Sequence, residues 1–275
     1  MRPRLVASDL DGTLLRSDGS LSPRTARVLR AVEEVGVDVV YVTARPPEWV
    51  VDLGLPVGEH GTVICANGAF VLDVPRREVV EEHVLEAETV TALAAELRRA
   101  LPAPALAVQG PFGLFVEERF QLPWPGVRPW RTAPALEVLL EVPVGKLMVQ
   151  CHRTPETELV ARVTEVLSGR AVVSHSGVPA LAEVSAPGVT KATTLARWCA
   201  ARGVDRAEVW AFGDMPNDLE MLTWAGRAFA VAGAHPQVLQ VADEVVPAND
   251  EDGVAAHLEA ALLGSTWSLT EGSLL

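Results

Sequence analysis

Residues 37–42 read VDVVYV, a nearly continuous run of β-branched and aromatic side chains. A strand without polar alternation is covered on both faces, as strands are inside a parallel sheet flanked by helices. The preceding segment agrees. SPRTARVLRAVEEVG offers Ser22 as N-cap, Pro23 at the first helical position and Gly36 as a stop, with Val28, Leu29, Val32 and Val35 along one face. Residues 3–8 and TVICANGAF (62–70), the latter broken at Asn67-Gly68, are further apolar runs. Strand–helix–strand alternation of this kind predicts right-handed βαβ units and an α/β fold with a doubly wound, mostly parallel Rossmann-like sheet.

The pattern changes after about residue 78. Residues 102–134 are rich in proline and aromatics, and PETELVARVTEVLSG reads as one clear helix with Leu159, Val160, Val163, Val166 and Leu167 on one face. From Pro187 the first pattern returns. A helix (TKATTLARWCAARG) precedes a strand at 207–212, the loop GDMPND, the helix LEMLTWAG, two short strands and a final helix near 251–263. The tail LLGSTWSLTEGSLL is expected to fray. The expected organisation is a core of residues 1–77 and 186–275 interrupted by an α+β unit at 78–185, with hinges near Val74-Pro75 and Ala186-Pro187-Gly188.

Several function classes drop out. No stretch approaches the roughly 18 apolar residues of a membrane span, and acids follow the N-terminus too soon for a signal peptide. Cys65, Cys151 and Cys199 form no CxxC pair, so reduced thiols in a cytoplasmic setting are expected. The net charge of −13 comes with no basic block, which excludes a nucleic-acid partner of the usual kind.

Chemistry gathers at the strand ends. Asp9 and Asp11 follow the first strand, Thr43 the second, Asn67 the third, and Asp214, Asn217 and Asp218 a fourth. Ligands of open parallel sheets bind at the carboxyl ends of the strands. Any one of these residues alone is more often simply a turn, but four such ends coinciding points to one crevice. Like charges about 4 Å apart repel by about 4 kcal/mol at an effective dielectric near 20. A hard, oxygen-seeking cation resolves that, and an all-oxygen set favours Mg²⁺. Lys191, at the start of a helix, adds a second positive group. Mg²⁺, a lysine, a threonine hydroxyl and the backbone near Gly12 together suit a phosphoryl group. VPVGKL (142–147) lacks the glycine and hydroxyl of a phosphate-binding Walker loop, and no GxGxxG occurs.

DLDGTLL, VVYVTARP, a lysine before a helix, and GDMPNDLEML occur here in that order. They resemble the four motifs of the haloacid dehalogenase superfamily, and ICANGA with ANDEDGVA resembles its Cof-type phosphatase branch, which carries an α+β cap after the third core strand. Ala44 and Ala192 stand where relatives often have glycine. The resemblance implies a phosphomonoester hydrolase of a small phosphorylated metabolite, most simply a sugar phosphate, with the cap selecting the substrate. A specialised glycosyl-phosphoglycerate or sucrose-phosphate type phosphatase is an alternative, and so is a ligand-sensing module on the same fold. It implies Asp9 as nucleophile and Asp11 as general acid/base. Gly12, Thr43, Lys191 and Asn217 are implied at the phosphate, with Mg²⁺ held by Asp9, the Asp11 carbonyl and Asp214. Thr13, Arg45, Asn67 and Asp218 support them. No membrane partner is implied, and a monomer or small homo-oligomer suits the class. Arg119, Arg128, Arg131, Trp124 and Trp130 are the cap side chains that could face an anionic substrate.

Overall fold

In the computed structural model, residues 2–124 and 126–264 are described. The N-terminal region forms β1 (Leu5–Ser8), helix α1 (Pro23–Glu34), β2 (Asp38–Val42), the single turn α2 (Pro47–Val50), β3 (Thr62–Cys65), β4 (Phe70–Asp73) and β5 (Glu78–Glu82). Next come α3 (Ala87–Ala100), β6 (Ala105–Gly110), β7 (Gly113–Glu117), β8 (Arg131–Ala133), β9 (Lys146–Gln150), α4 (Glu156–Leu167), β10 (Val172–Ser174) and β11 (Leu181–Ser185). The chain closes with α5 (Lys191–Ala201), β12 (Val209–Gly213), α6 (Leu219–Trp224), β13 (Arg227–Val231), α7 (Pro236–Val241), β14 (Glu244–Val246) and α8 (Gly253–Leu258).

Two sheets result. One has the order β14-β13-β12-β1-β2-β3-β4-β5, parallel from β14 to β3 and antiparallel beyond. The other, β10-β11-β9-β6-β7-β8, is antiparallel except between β7 and β8. β1, β3 and β12 are buried at every position, so helices cover both faces and the sheet is doubly wound. The order reverses at β1, where β2 leaves to one side and β12 returns on the other. The carboxyl ends of these strands therefore border one crevice.

Local signals mostly hold. The Ser22 side chain accepts from the Thr25 amide and Pro23 opens α1, as its capping chemistry requires. Val28, Leu29 and Val32 are buried, but Val35 is 43% exposed. It lies beyond the last helical residue, where the chain is already turning into Gly36. Helix α3 was not expected, although Val90, Leu93, Ala94 and Leu97 are its buried face. These residues fall at i, i+3, i+4 and i+7, so the helical signal was present in the sequence.

The expected limits of the inserted unit differ from the observed pairing. Residues 78–82, assigned to the insert, are β5 and pair with β4 in the first sheet. Val74-Pro75 thus lies in a turn within that sheet and is not a crossing between the sheets. The crossings are the segments after β5 and after β11. Residues 265–275, which hold most of the tail expected to fray, lie outside the described residues.

Candidate active site

The Asp9 amide extends the β1–β12 pairing by donating to the Phe212 carbonyl at 3.0 Å. This seats the carboxylate at the sheet's edge, 5% exposed. Lys191, the first residue of α5, reaches it across the crevice: Nζ lies 2.5 Å from Asp9 Oδ1 and 2.6 Å from Asp218 Oδ1. Asp218 is fully buried. Its second oxygen accepts from the Asp214 and Met215 amides, each at 3.1 Å, so its acceptors are committed to holding the GDMPND loop and the lysine. Asp214 accepts from the Thr13 hydroxyl at 2.8 Å. Gly12 has φ +78°, and a Cβ there would stand 2.4 Å from Asp214 Oδ2. Only glycine permits that approach.

Carboxylate oxygens of Asp9, Asp214 and Asp218 lie within 4.8 Å of one another, against the single ammonium of Lys191. Burial pushes the Asp9 carboxyl well above its ordinary value; Lys191 opposes this, while Asp218, Asp214 and Asp11 add to it. Burial, then Asp218, raises Asp214 to about 7. Burial disfavours the Lys191 ammonium, but Asp218 and Asp9 outweigh it and hold the amine charged. The cluster is short of positive charge. Its free acceptors are carboxylate oxygens of Asp9 and Asp214, a donor set that fits a hard divalent cation such as Mg²⁺.

Asp11 points the other way. Its side chain is 54% exposed, and Arg45 Nε and Nη2 clasp its two oxygens at 2.8 and 2.6 Å. Thr43 is buried; its hydroxyl accepts from the Arg45 amide at 3.1 Å and its carbonyl from the Asn67 amide at 2.9 Å. Asn67 has φ +56°, a conformation asparagine tolerates. Its side chain accepts from Asn217 Nδ2 at 3.2 Å and donates to Glu183 at 2.9 Å.

That last bond shows what the sequence did not. Glu183 on β11 and Lys146 on β9 form a buried ion pair at 2.9 Å, exposed 2% and 1%, and Lys146 also donates to the Ala44 carbonyl at 2.9 Å. Lys146 stood out in the sequence only as part of a failed Walker match, and no local pattern pairs it with a glutamate 37 residues on. Both residues line a cavity of about 1070 Å³ that also includes Asp9, Asp11, Gly12, Arg45 and Asn217. Of the five arginines and tryptophans singled out in the sequence, Trp124, Arg128 and Trp130 line this cavity. Arg119 and Arg131 do not; they pair with Glu117 and Glu141 at 3.1 and 3.2 Å.

Among the described residues no helix is long and apolar enough to cross a membrane. A family model for haloacid dehalogenase-like hydrolases matches residues 6–258. A putative phosphatase, YxeH, of Bacillus subtilis (strain 168) is 28% identical over 94% of this chain and 98% of its own. The pyridoxal phosphate phosphatase YbhA of Escherichia coli (strain K12) is 26% identical over 96% of this chain and 100% of its own. The solved structure of SMU.1108c from Streptococcus mutans UA159 superposes with a TM-score of 0.82 at 21% identity, covering 95% of this chain and 100% of that one. The chain belongs to the haloacid dehalogenase-like hydrolase family, among its Cof-type phosphatases.

Proposed function

We propose that the protein is a Mg²⁺-dependent phosphomonoester hydrolase of a small phosphorylated metabolite, working through an aspartyl-phosphate at Asp9. The observation that carries this reading is the Lys191–Asp9 contact inside a buried acid cluster that opens on the large cavity. Lys191 occupies Oδ1 of Asp9, which leaves Oδ2 to attack phosphorus. The Asp9–phosphorus bond forms as the ester P–O bond breaks, and Asp11 protonates the departing oxygen. Asp11 then takes a proton from the water that attacks the same phosphorus, releasing phosphate and restoring Asp9. To do so Asp11 exchanges its Arg45 clasp for the substrate. Lys191 and the Thr43 hydroxyl hold phosphoryl oxygens, Asn217 completes that shell, and Thr13 and Asp218 fix Asp214 and Lys191. Mg²⁺ would be held by Asp9, the Asp11 carbonyl and Asp214, and supplies charge neutralisation for the phosphoryl group.

The second sheet and its helices, from about residue 84 to 185, act as the cap. They shape the cavity around the leaving group, so small metabolites enter and folded proteins do not. Pyridoxal phosphate, the substrate named for the Escherichia coli relative, and sugar phosphates are both of suitable size. The three cysteines are buried and free, in keeping with a reducing cytoplasm.

Phosphate release from p-nitrophenyl phosphate tests the reading. Turnover is expected with Mg²⁺ and is expected to vanish when a chelator removes the metal. Full activity in the chelator would sink the metal assignment. Gly12→Ala offers a sharper test of the geometry. Its Cβ displaces Asp214, and misplacing a reacting group by about 1 Å costs about 10²-fold in rate. Steady-state kinetics should show that loss in kcat/KM, and raising Mg²⁺ should restore part of it.

A further inference from the structure

Gln109 lies on β6 and pairs in register with Lys146 on β9. It is 2% exposed, and its Nε2 donates to the Ala44 carbonyl at 3.3 Å. Lys146 donates to the same carbonyl at 2.9 Å and to Glu183 Oε1 at 2.9 Å. A carbonyl oxygen can only accept, so the amide group of Gln109 must turn its NH₂ toward Ala44 and its Oε1 away. That Oε1 is buried and accepts no hydrogen bond from any described residue. Gln109 nevertheless lines the cavity that holds Asp9 and Asp11. Its neighbours are otherwise committed. Glu183 accepts from Lys146, from Asn67 at 2.9 Å and from Ser176 at 3.3 Å. On this wall Gln109 Oε1 is left as an open acceptor, and Asn217 Oδ1 is a second one in the same cavity, on the loop after β12.

A buried acceptor without a partner carries its whole desolvation cost, and a donor brought in by a ligand removes it. Resting on the phosphatase reading above, we propose that Gln109 Oε1 accepts a hydrogen bond from a hydroxyl of the leaving group, which makes Gln109 a specificity-determining residue fixed in place by the Lys146–Glu183 pair and the Ala44 carbonyl. Phe112 and Trp130 pack 5.9 Å apart, 51% and 63% exposed, on the same cavity. They give the C–H faces of a polyol an apolar surface within that cavity.

The test compares glucose 6-phosphate with hexyl phosphate. Both are esters of a primary alcohol, but only the first leaving group carries hydroxyls. The readout is the ratio of their kcat/KM values, because a purely structural defect lowers both alike and leaves the ratio unchanged. Gln109→Leu is expected to lower the ratio about three- to tenfold, the effect of one neutral hydrogen bond. Gln109→Glu keeps an acceptor and is expected to hold the ratio above that of the leucine variant. An unchanged ratio in Gln109→Leu, or a wild-type protein that treats the two esters alike, overturns the subsite alone. No phosphate release from p-nitrophenyl phosphate by the wild-type protein with Mg²⁺ overturns the phosphatase reading and the subsite with it.

Discussion

Asp9→Asn is expected to stop phosphate release while raising the melting temperature of the metal-free protein. The loss should reach about 10⁵-fold or more, as for other nucleophiles removed from a covalent mechanism, because an amide oxygen cannot form the acyl phosphate. The gain in stability follows from the direction of the Asp9 shift. Burial and the neighbouring Asp218, Asp214 and Asp11 carboxylates hold its carboxyl well above the ordinary 3.8, despite Lys191. The folded protein therefore binds that proton more tightly than the unfolded chain does. Above about pH 4 the unfolded chain releases it first, and stability falls as pH rises through the folded value. Asp214, at about 7, adds the same slope between roughly pH 4 and 7. Asparagine removes one of these penalties and leaves Lys191 paired with Asp218. Thermal melts in chelator at pH 8 should place the variant above the wild type. A variant that melts lower, or one that still turns over p-nitrophenyl phosphate, would contradict the role given to Asp9.

The acid cluster was legible because it rests on local rules repeated four times. An apolar run ends in Asp, Thr or Asn, and a parallel sheet carries every such end to one edge. Lys191 was legible for a related reason, since a lysine is out of place at a helix start unless anions lie opposite. What stayed hidden depends on pairing between distant strands. β5 reads EVVEE and is mostly exposed, so it has no apolar signature, and only its ladder with β4 places it in the first sheet. Gln109, Lys146 and Glu183 sit on three neighbouring strands, β6, β9 and β11, that are not consecutive in the sequence. Gln109 and Lys146 meet at the Ala44 carbonyl, and Glu183 meets Lys146, only once the second sheet has paired and packed on the loop after β2. The Arg45 clasp on Asp11 is of the same kind, since two residues 34 apart meet only once β1 and β2 lie side by side.

Lys191→Met is expected to cost both activity and fold stability, and the second loss separates its role from that of a surface lysine. The side chain is 1% exposed and touches two carboxylates that are themselves buried. Removing one partner of a buried ion pair leaves uncompensated charge and costs about 3–5 kcal/mol. For a chain of this size that is a fall of roughly 6–20 °C in melting temperature. Losing a cation from a helix N-terminus regains at most about 1 kcal/mol, and the Thr190 cap, which accepts from the Thr193 amide, survives the change, so the balance stays strongly negative. Adding Asp218→Asn should recover part of the stability. The asparagine oxygen can still accept from the Asp214 and Met215 amides, while the surplus charge is gone. Activity should not return, because Lys191 also holds a phosphoryl oxygen in the proposed reaction. Calorimetry in chelator reads the first effect and phosphate release the second. A solvated lysine would leave the melt within about 0.5 kcal/mol of wild type, and that result would remove Lys191 from the charge balance on which the assignment of Asp9 depends.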